Sequence, residues 1–502
     1  MTEKKQIVFT ILALLVIGFP LAFDLGQAPI QTWDEARQAV NALEMLRSGG
    51  QWLVTTFNHH PDLGNTKPPL LIWLQALSMG CFGATELAVR LPSLLASLGT
   101  VALLYGAGRW LGRPGWGLLA GAILVTMPGY LGPHLARTGD YEALLCFWVL
   151  GQVLATFAYA ETGRTRYLVL AAGAVAAALL TKGVAGVLGL PALALYLLVS
   201  KKLVGTLRRP AFWLAAGASL AVPALYYVLR ERAGPGYWAA VWGFEVGGRY
   251  GHNLATAQQP PLYYVRNLVG YQCRLWWPWL LPAGWLLATS PPTSARRLGG
   301  LLGLFLLDWL LIISSAKTKL EWYTAPMLPA LALLLALGLG VGYRRAQARW
   351  LAGRPGLWRA GLALAAALAL LVVPYALAIR RLVRERHDVT TWGGVNSYST
   401  YLRYYRPVPV PAEPLVVYYP VDYRHGAWAS QFYLEVLAER GVALRRCNPD
   451  SLPPLAAGRR VLVCLPQVRA TLLRRYAVRL VDQREVCTLY EVQGPAKAAE
   501  LR

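Results

Sequence analysis

Residues 1–384 consist of long apolar runs separated by short polar breaks. The runs lie at 7–23, 87–108, 115–133, 141–160, 166–181, 183–199, 211–229, 272–289, 298–315, 323–342 and 357–379. A helix that crosses a hydrocarbon core needs roughly 20 mostly apolar residues. The pattern therefore predicts a mainly α, polytopic membrane helix bundle of about 11 transmembrane helices, 11 to 13 in all. The first run follows Lys4 and Lys5, and no small-residue cleavage site follows it, so it is read as an uncleaved helix rather than a signal peptide. The stretch 67–82 is apolar but interrupted and predicts an interfacial helix, and Lys182 splits 166–199 into two short helices.

Beyond about residue 385 the pattern changes. Short β-rich runs at 415–419, 461–465 and 485–492 alternate with helical patterns at 429–440 and 468–474. This predicts a small soluble α/β domain over 385–502, after a membrane domain over 1–384 with polar outer loops at 24–86 and 230–271. The tail has no glycine-rich phosphate loop, which argues against nucleotide binding there.

Composition supports the membrane reading. Of 502 residues, 56% are hydrophobic and only 15% charged, where soluble domains run near a quarter charged. The net charge of +24 raises nucleic acid as a partner, but membrane proteins collect Lys and Arg in cytoplasmic loops. The connections 109–113, 161–166, 201–209, 290–297 and 343–359, with Lys4 and Lys5, hold 17 Lys and Arg, whereas 24–69 holds three in 46 residues. That asymmetry puts the N-terminus inside and the C-terminal domain outside, with no nucleic-acid partner. Nineteen Trp and 26 Tyr suit long membrane–water interfaces, and the cluster at 275–279 reads as an aromatic belt. Six scattered Cys form no CxxC pair, and Cys464 and Cys487, in strand-like apolar runs, are expected to be buried free thiols.

Several polar residues sit against apolar sequence: Asp34 and Glu35 in WDEARQAV, Lys67 in TKPPLLIWL, Asp140 in ARTGDYEALL, Lys182 in LLTKGVAG, and Lys317 and Lys319 in SSAKTKLEWY. Under the topology above all of them lie at the outer face. Ionisable groups near a bilayer are functional candidates. Cations there suit a lipid phosphate, and a nearby carboxylate suits a base for an acceptor hydroxyl. Each has a plainer reading as well. Asp34 and Asp140 fit helix N-caps, Glu35 a first-turn dipole partner, Lys67 a snorkelling side chain, Lys182 an interface anchor, and Lys317 and Lys319 a solvated face.

The motifs WDEARQAVNALEMLRSGGQWLV, TKPPLLIWLQALSMGCFG, AVRLPSLLASLGTVALLYGAGRWLG, ARTGDYEALL, LLTKGVAG and KTKLEWYTAPMLPALALLLALGL occur in that order over about residues 1–345. In this order they resemble the bacterial glycosyltransferases related to protein O-mannosyltransferases and to the lipid A aminoarabinose transferase. The resemblance implies a GT-C fold and an inverting transfer of a sugar from a polyprenyl-phosphate donor. The acceptor would be a hydroxyl or phosphate on lipid A, a glycan or a protein. The location implied is the outer face of a bacterial inner membrane, with a cytoplasmic N-terminus and a periplasmic tail. It maps Asp34 onto the catalytic acid and Asp140 onto the second acidic landmark. Arg37, Lys67, Lys182 and Tyr323 match positions around the donor phosphate. In FEVGGRYGHNLATAQQPPLYY, Glu245, Arg249 and His252 match a segment that supplies metal or phosphate contacts.

Two departures stand out. Thr66 occupies the position before Lys67 where relatives carry Asp or Glu, which leaves a divalent metal open; His59, His60 and Asp62 are near enough in sequence to substitute. Gln38 stands where an aromatic is frequent. The resulting expectation is an outer-face cavity lined by Asp34, Lys67, Asp140 and Lys182, unaffected by removal of the tail. A lipid-linked sugar transporter or flippase would instead place polar groups at the bilayer midplane and show repeats, and a non-catalytic envelope scaffold would bind partners through the tail.

Overall fold

The structure, a computed structural model, describes residues 3–31, 34–251, 259–350, 357–386, 397–405, 414–418, 426–447 and 454–496. Each of the eleven apolar runs contains a helix. Among the described residues, seven helices are long and apolar enough to cross a membrane: Glu3–Ala22, Glu86–Trp110, Tyr141–Thr162, Thr165–Val187, Pro210–Ala233, Ser294–Ser315 and Met327–Ala348. The chain is a multi-pass membrane protein.

Three runs are helical over less than the expected length. Pro114–Val125, Leu190–Val199 and Leu280–Ala288 have 12, 10 and 9 residues, roughly half of the ~30 Å that 20 helical residues provide. Turn chemistry shortens them. In the run 115–133 the helix stops before Pro128–Gly129, the run 183–199 begins with a 3-10 turn at Gly183–Val187, and in the 272–289 run the helix starts only after turns that end in a 3-10 turn at Trp277–Trp279 containing Pro278. Other ends follow local rules. Thr85 caps Glu86–Trp110 by accepting the Ala88 amide, and Gly163, left-handed at φ 67°, closes Tyr141–Thr162 so that the next helix turns back antiparallel beside it. Small residues let backbones meet: a Cβ on Gly108 would lie 2.4 Å from the Gly117 nitrogen, joining Glu86–Trp110 to Pro114–Val125.

The stretch expected to form an interfacial helix is helical over Leu70–Phe82, packed between Asp34–Arg47 and Glu86–Trp110. The C-terminal part is a five-stranded mixed sheet in the order 444–447, 415–418, 460–463, 487–495, 476–484. The first three strands are parallel, and the last two form an antiparallel hairpin. Cys464 and Cys487 form a disulfide, which corrects the free-thiol expectation. They follow directly on the Val463–Thr488 pair of adjacent antiparallel strands, so their Cα atoms lie 3.9 Å apart. Cys447 closes the 444–447 strand, and its side chain lies outside the described residues.

The hydrophobic core of this sheet is continuous with Asp34–Arg47 and Leu70–Phe82. Gly426–Glu439 packs along Asp34–Arg47. Polar clamps reinforce the contact. Arg47 meets Glu435 and Glu439 at 2.7 Å each, Arg403 meets Glu86 at 2.8 Å, and the Tyr433 hydroxyl accepts the Ile30 amide at 2.8 Å while donating to Glu86 at 2.9 Å.

Candidate active site

The starts of Asp34–Arg47, Leu70–Phe82 and Tyr141–Thr162 meet the end of Thr165–Lys182 and the segments 237–251 and 321–324 at one end of the bundle. Glu35 fixes this assembly. Its carboxylate accepts from Arg90 at 2.7 and 2.9 Å, from the Gly139 amide at 2.8 Å and from the Gln31 amide at 2.6 Å. Arg90 also donates to the carbonyls of Leu25, Ala28 and Pro29. Both side chains are 2% exposed or less, so Glu35 is a buried ion-pair partner rather than the dipole partner expected. A buried ion pair with every donor satisfied ties the start of one helix to the loop before another.

That tie brings Asp34 and Asp140 together around His134. The His134 Nδ1 lies 3.5 Å from Asp140 and 3.9 Å from Asp34. Asp34 is half exposed, whereas Asp140 is buried. Asp140 occupies the N-cap position of Tyr141–Thr162 yet makes no capping hydrogen bond, so the plain capping reading fails for its side chain. Burial opposes its charge, but His134 outweighs this and holds the Asp140 carboxyl below its usual range. Burial likewise opposes protonation of His134, and the Asp140 charge overcomes it, pushing the imidazole up to about 9. The ring stacks on Trp322 with centroids 3.8 Å apart. The Gln38 amide, oriented to satisfy both of its ends, donates to the Gly139 carbonyl and the Asp140 carboxylate; the position where an aromatic was expected carries a polar contact to the second acid.

Beside this trio lies a cationic group. Lys67 pairs with Glu245, Lys182 with Glu142, and Arg249 reaches Glu245 at 3.3 Å while donating to the Tyr323 hydroxyl. Lys182 and Arg249 lie 5.7 and 5.8 Å from the centre of the Tyr323 ring. The Thr66 hydroxyl donates to Glu245, and the Tyr237 hydroxyl donates to the carbonyls of Thr66 and Lys67 at 3.1 and 3.2 Å, holding the loop. Burial pushes the Lys67 ammonium below its usual value despite Glu245. Burial opposes the Glu245 charge too, yet Lys67 and Arg249 hold its carboxyl at about 2.

Sequence reasoning therefore placed Asp34 with Asp140, and Lys67, Lys182, Arg249 and Tyr323 with one another. Arg37 has other partners: Asp62 at 3.1 Å, the Gly64 carbonyl at 3.1 Å and the Trp428 ring at 4.5 Å. Asp62 is occupied in the same loop by the Gly64 and Asn65 amides and the Asn41 side chain. Lys317 is exposed, and Lys319 donates to the Ala316 carbonyl at 3.1 Å. Trp277 and Trp279 are exposed as a belt requires, but Trp276 is buried and donates to Thr126. His134, Glu142 and Arg90 were missed. Only Arg90 carried a signal, a guanidinium inside an apolar run.

Among the described residues, two His–carboxylate groups have donor atoms within 4.8 Å of one another, Asp34–His134–Asp140 and Glu44–His59–Glu435. His60 is exposed and in neither, and His252 lies outside the described residues.

Comparison with known proteins bears on this arrangement. A family model described as dolichyl-phosphate-mannose-protein mannosyltransferase matches residues 66–227. An undecaprenyl phosphate-alpha-4-amino-4-deoxy-L-arabinose arabinosyl transferase of Shewanella sediminis is 29% identical over 355 residues, 67% of this chain and 61% of the relative. Its counterpart in Pseudomonas paraeruginosa is 30% identical over 373 residues, 71% of this chain and 64% of the relative. The chain thus spans about three-fifths of the length of the curated relatives it matches. Among solved structures, ArnT from Cupriavidus metallidurans bound to undecaprenyl phosphate superposes with a TM-score of 0.70 at 18% identity, covering 99% of this chain and 100% of that one. The Archaeoglobus fulgidus oligosaccharyltransferase superposes with a TM-score of 0.51 at 16% identity, covering 86% and 63%. The resemblance read from the motifs stands, and the chain has the GT-C fold of these membrane glycosyltransferases.

Proposed function

We propose that the protein transfers a sugar from a polyprenyl-phosphate donor to an acceptor at the outer face of a bacterial inner membrane. The observation that carries this reading is the juxtaposition of Lys67, Lys182, Arg249 and Tyr323 with Asp34 and Asp140 at one end of an apolar helix bundle. Three cations face two carboxylates, Glu245 and Glu142, leaving one positive charge for the single negative charge of a sugar phosphodiester. The leaving phosphate monoester carries more negative charge than the diester. Fixed cations therefore stabilise the transition state more than the bound donor, which is what accelerates a reaction. Asp34, the exposed carboxylate of the trio, takes the role of base or orienting group for the acceptor hydroxyl, which attacks the anomeric carbon opposite the phosphate.

The division into a membrane domain over 1–384 and a periplasmic domain over 385–502 belongs to the same reading, as does a cytoplasmic N-terminus; the Lys and Arg asymmetry of the connections supports both. The divalent metal that the sequence left open fits poorly at Thr66 and Glu245. Thr66 brings a hydroxyl, and Glu245 already meets two cations. No step here depends on a metal.

The test uses purified full-length protein in lipid nanodiscs with labelled undecaprenyl-phosphate sugars, the 4-amino-4-deoxy-L-arabinose donor of the relatives first. Sugar appearing on a lipid, glycan or protein acceptor supports the reading. Donor that is bound or moved across a bilayer but never cleaved supports the transporter alternative instead.

A further inference from the structure

We infer that His134 is a positioning residue of the transfer reaction, the group that holds the Asp34 and Asp140 carboxylates in one working geometry. This rests on the proposed transferase reading and assigns a part to a residue outside the matched motifs.

Three observations carry it. First, the Nδ1 of His134 lies between the two carboxylates, 3.5 Å from Asp140 and 3.9 Å from Asp34, and is a buried atom with no hydrogen bond of ordinary length. A nitrogen so placed acts through charge on both acids at once. Two carboxylates brought this close repel, and the repulsion is met here by a side chain of the chain itself. Second, the position is enforced. His134 has a left-handed backbone at φ 63°, which side chains other than Gly rarely adopt, and its ring is pressed flat against Trp322. Third, Asp140 gives up the capping bond its location offers and faces His134 instead. A buried acid that fixes an imidazole, which in turn faces a more exposed acid, leaves only Asp34 free to meet the acceptor. Held between the two carboxylates with its ring fixed on Trp322, the imidazole is placed to orient Asp34 rather than to meet the acceptor itself.

The test is a steady-state comparison of wild type and His134→Gln with a working donor and acceptor. His134→Gln keeps a polar side chain of similar reach and removes the charge. Misplacement of a catalytic group by ~1 Å costs about 10²-fold in rate, so kcat should fall by about that factor while the KM for donor stays unchanged. Imidazole added to His134→Ala should restore part of the lost turnover. Equal losses in kcat and donor affinity, or wild-type turnover in His134→Gln, would overturn the assignment. So would abolition of wild-type turnover by EDTA with recovery on adding a divalent ion, since an ion would then be the bridge. Should the wild type transfer sugar from no polyprenyl-phosphate donor, the parent reading fails by itself. His134 is then judged by thermal unfolding of His134→Gln, Asp140→Asn and the double variant, where strictly additive losses contradict the bridge.

Discussion

The two halves of the site are built differently. The proposed phosphate half, Lys67, Lys182, Arg249, Tyr323 and Glu245, rests on a membrane helix end, on the loop at 65–67 and on the short helical segments 237–251 and 321–324. The acid half begins on Asp34–Arg47, and that helix has a flank covered by the C-terminal domain through Gly426–Glu439 and the Arg47–Glu435 pair. On the proposed assignment, donor binding and acceptor activation depend on different parts of the chain, and substitutions should separate them.

The largest effect should come from Asp34→Asn, which keeps the size and capping ability of the residue and removes its charge. Loss of a general base lowers turnover by 10²–10⁴-fold, so transfer should fall by about that range with folding and donor affinity near wild type. Removal of residues beyond 396 should rank next. It uncovers the apolar side of Asp34–Arg47 and strips Arg47 and Glu86 of their partners, so turnover should fall much further than undecaprenyl-phosphate binding. This reverses the expectation that the tail is dispensable. Equal loss of binding and turnover in the truncated protein would show that the halves are not separable. Lys67→Ala should then weaken donor affinity, by about 10-fold on the ~1.5 kcal/mol scale of a charge-assisted hydrogen bond, with kcat changed less. Titration with labelled donor measures it.

The smallest effect concerns the domain contact and pH. Burial, and then the neighbouring Glu44 carboxylate, raise the Glu435 carboxyl from 4.5 to about 7 despite Gln431 and Arg47. The folded state thus binds a proton more tightly than the unfolded chain. The stability tied to that proton is fully present below about pH 4.5 and is lost as pH rises through about 7. Wild-type Tm should decline between pH 5 and 8 more steeply than that of Glu435→Gln, which mimics the protonated form. Parallel Tm curves would remove Glu435 from the account.

Much of this was legible in the sequence because its signals are local. Apolar run length located the seven long apolar helices among the described residues but overran three shorter ones, and charges set against apolar sequence located Asp34, Lys67, Asp140 and Lys182. What was hidden depends on contacts between distant segments. His134 sits in a loop with no pattern and matters only because Asp34 and Asp140 converge on it. The carboxylate missing before Lys67 is supplied by Glu245, 178 positions away. Glu142 meets Lys182 across 40 residues of sequence. The Cys464–Cys487 bond needed the strand register, and the docking of the tail needed the apolar side of Asp34–Arg47 to be seen uncovered.

The proposed transfer requires that the bond between a sugar and a polyprenyl phosphate be broken. The direct measurement is the release of free polyprenyl phosphate by purified protein given a doubly labelled polyprenyl-phosphate sugar and membrane-extract acceptors. One polyprenyl phosphate should be released per sugar transferred, with both signals lost together in Asp34→Asn. Intact donor recovered quantitatively, whether bound or moved across the bilayer, would contradict it.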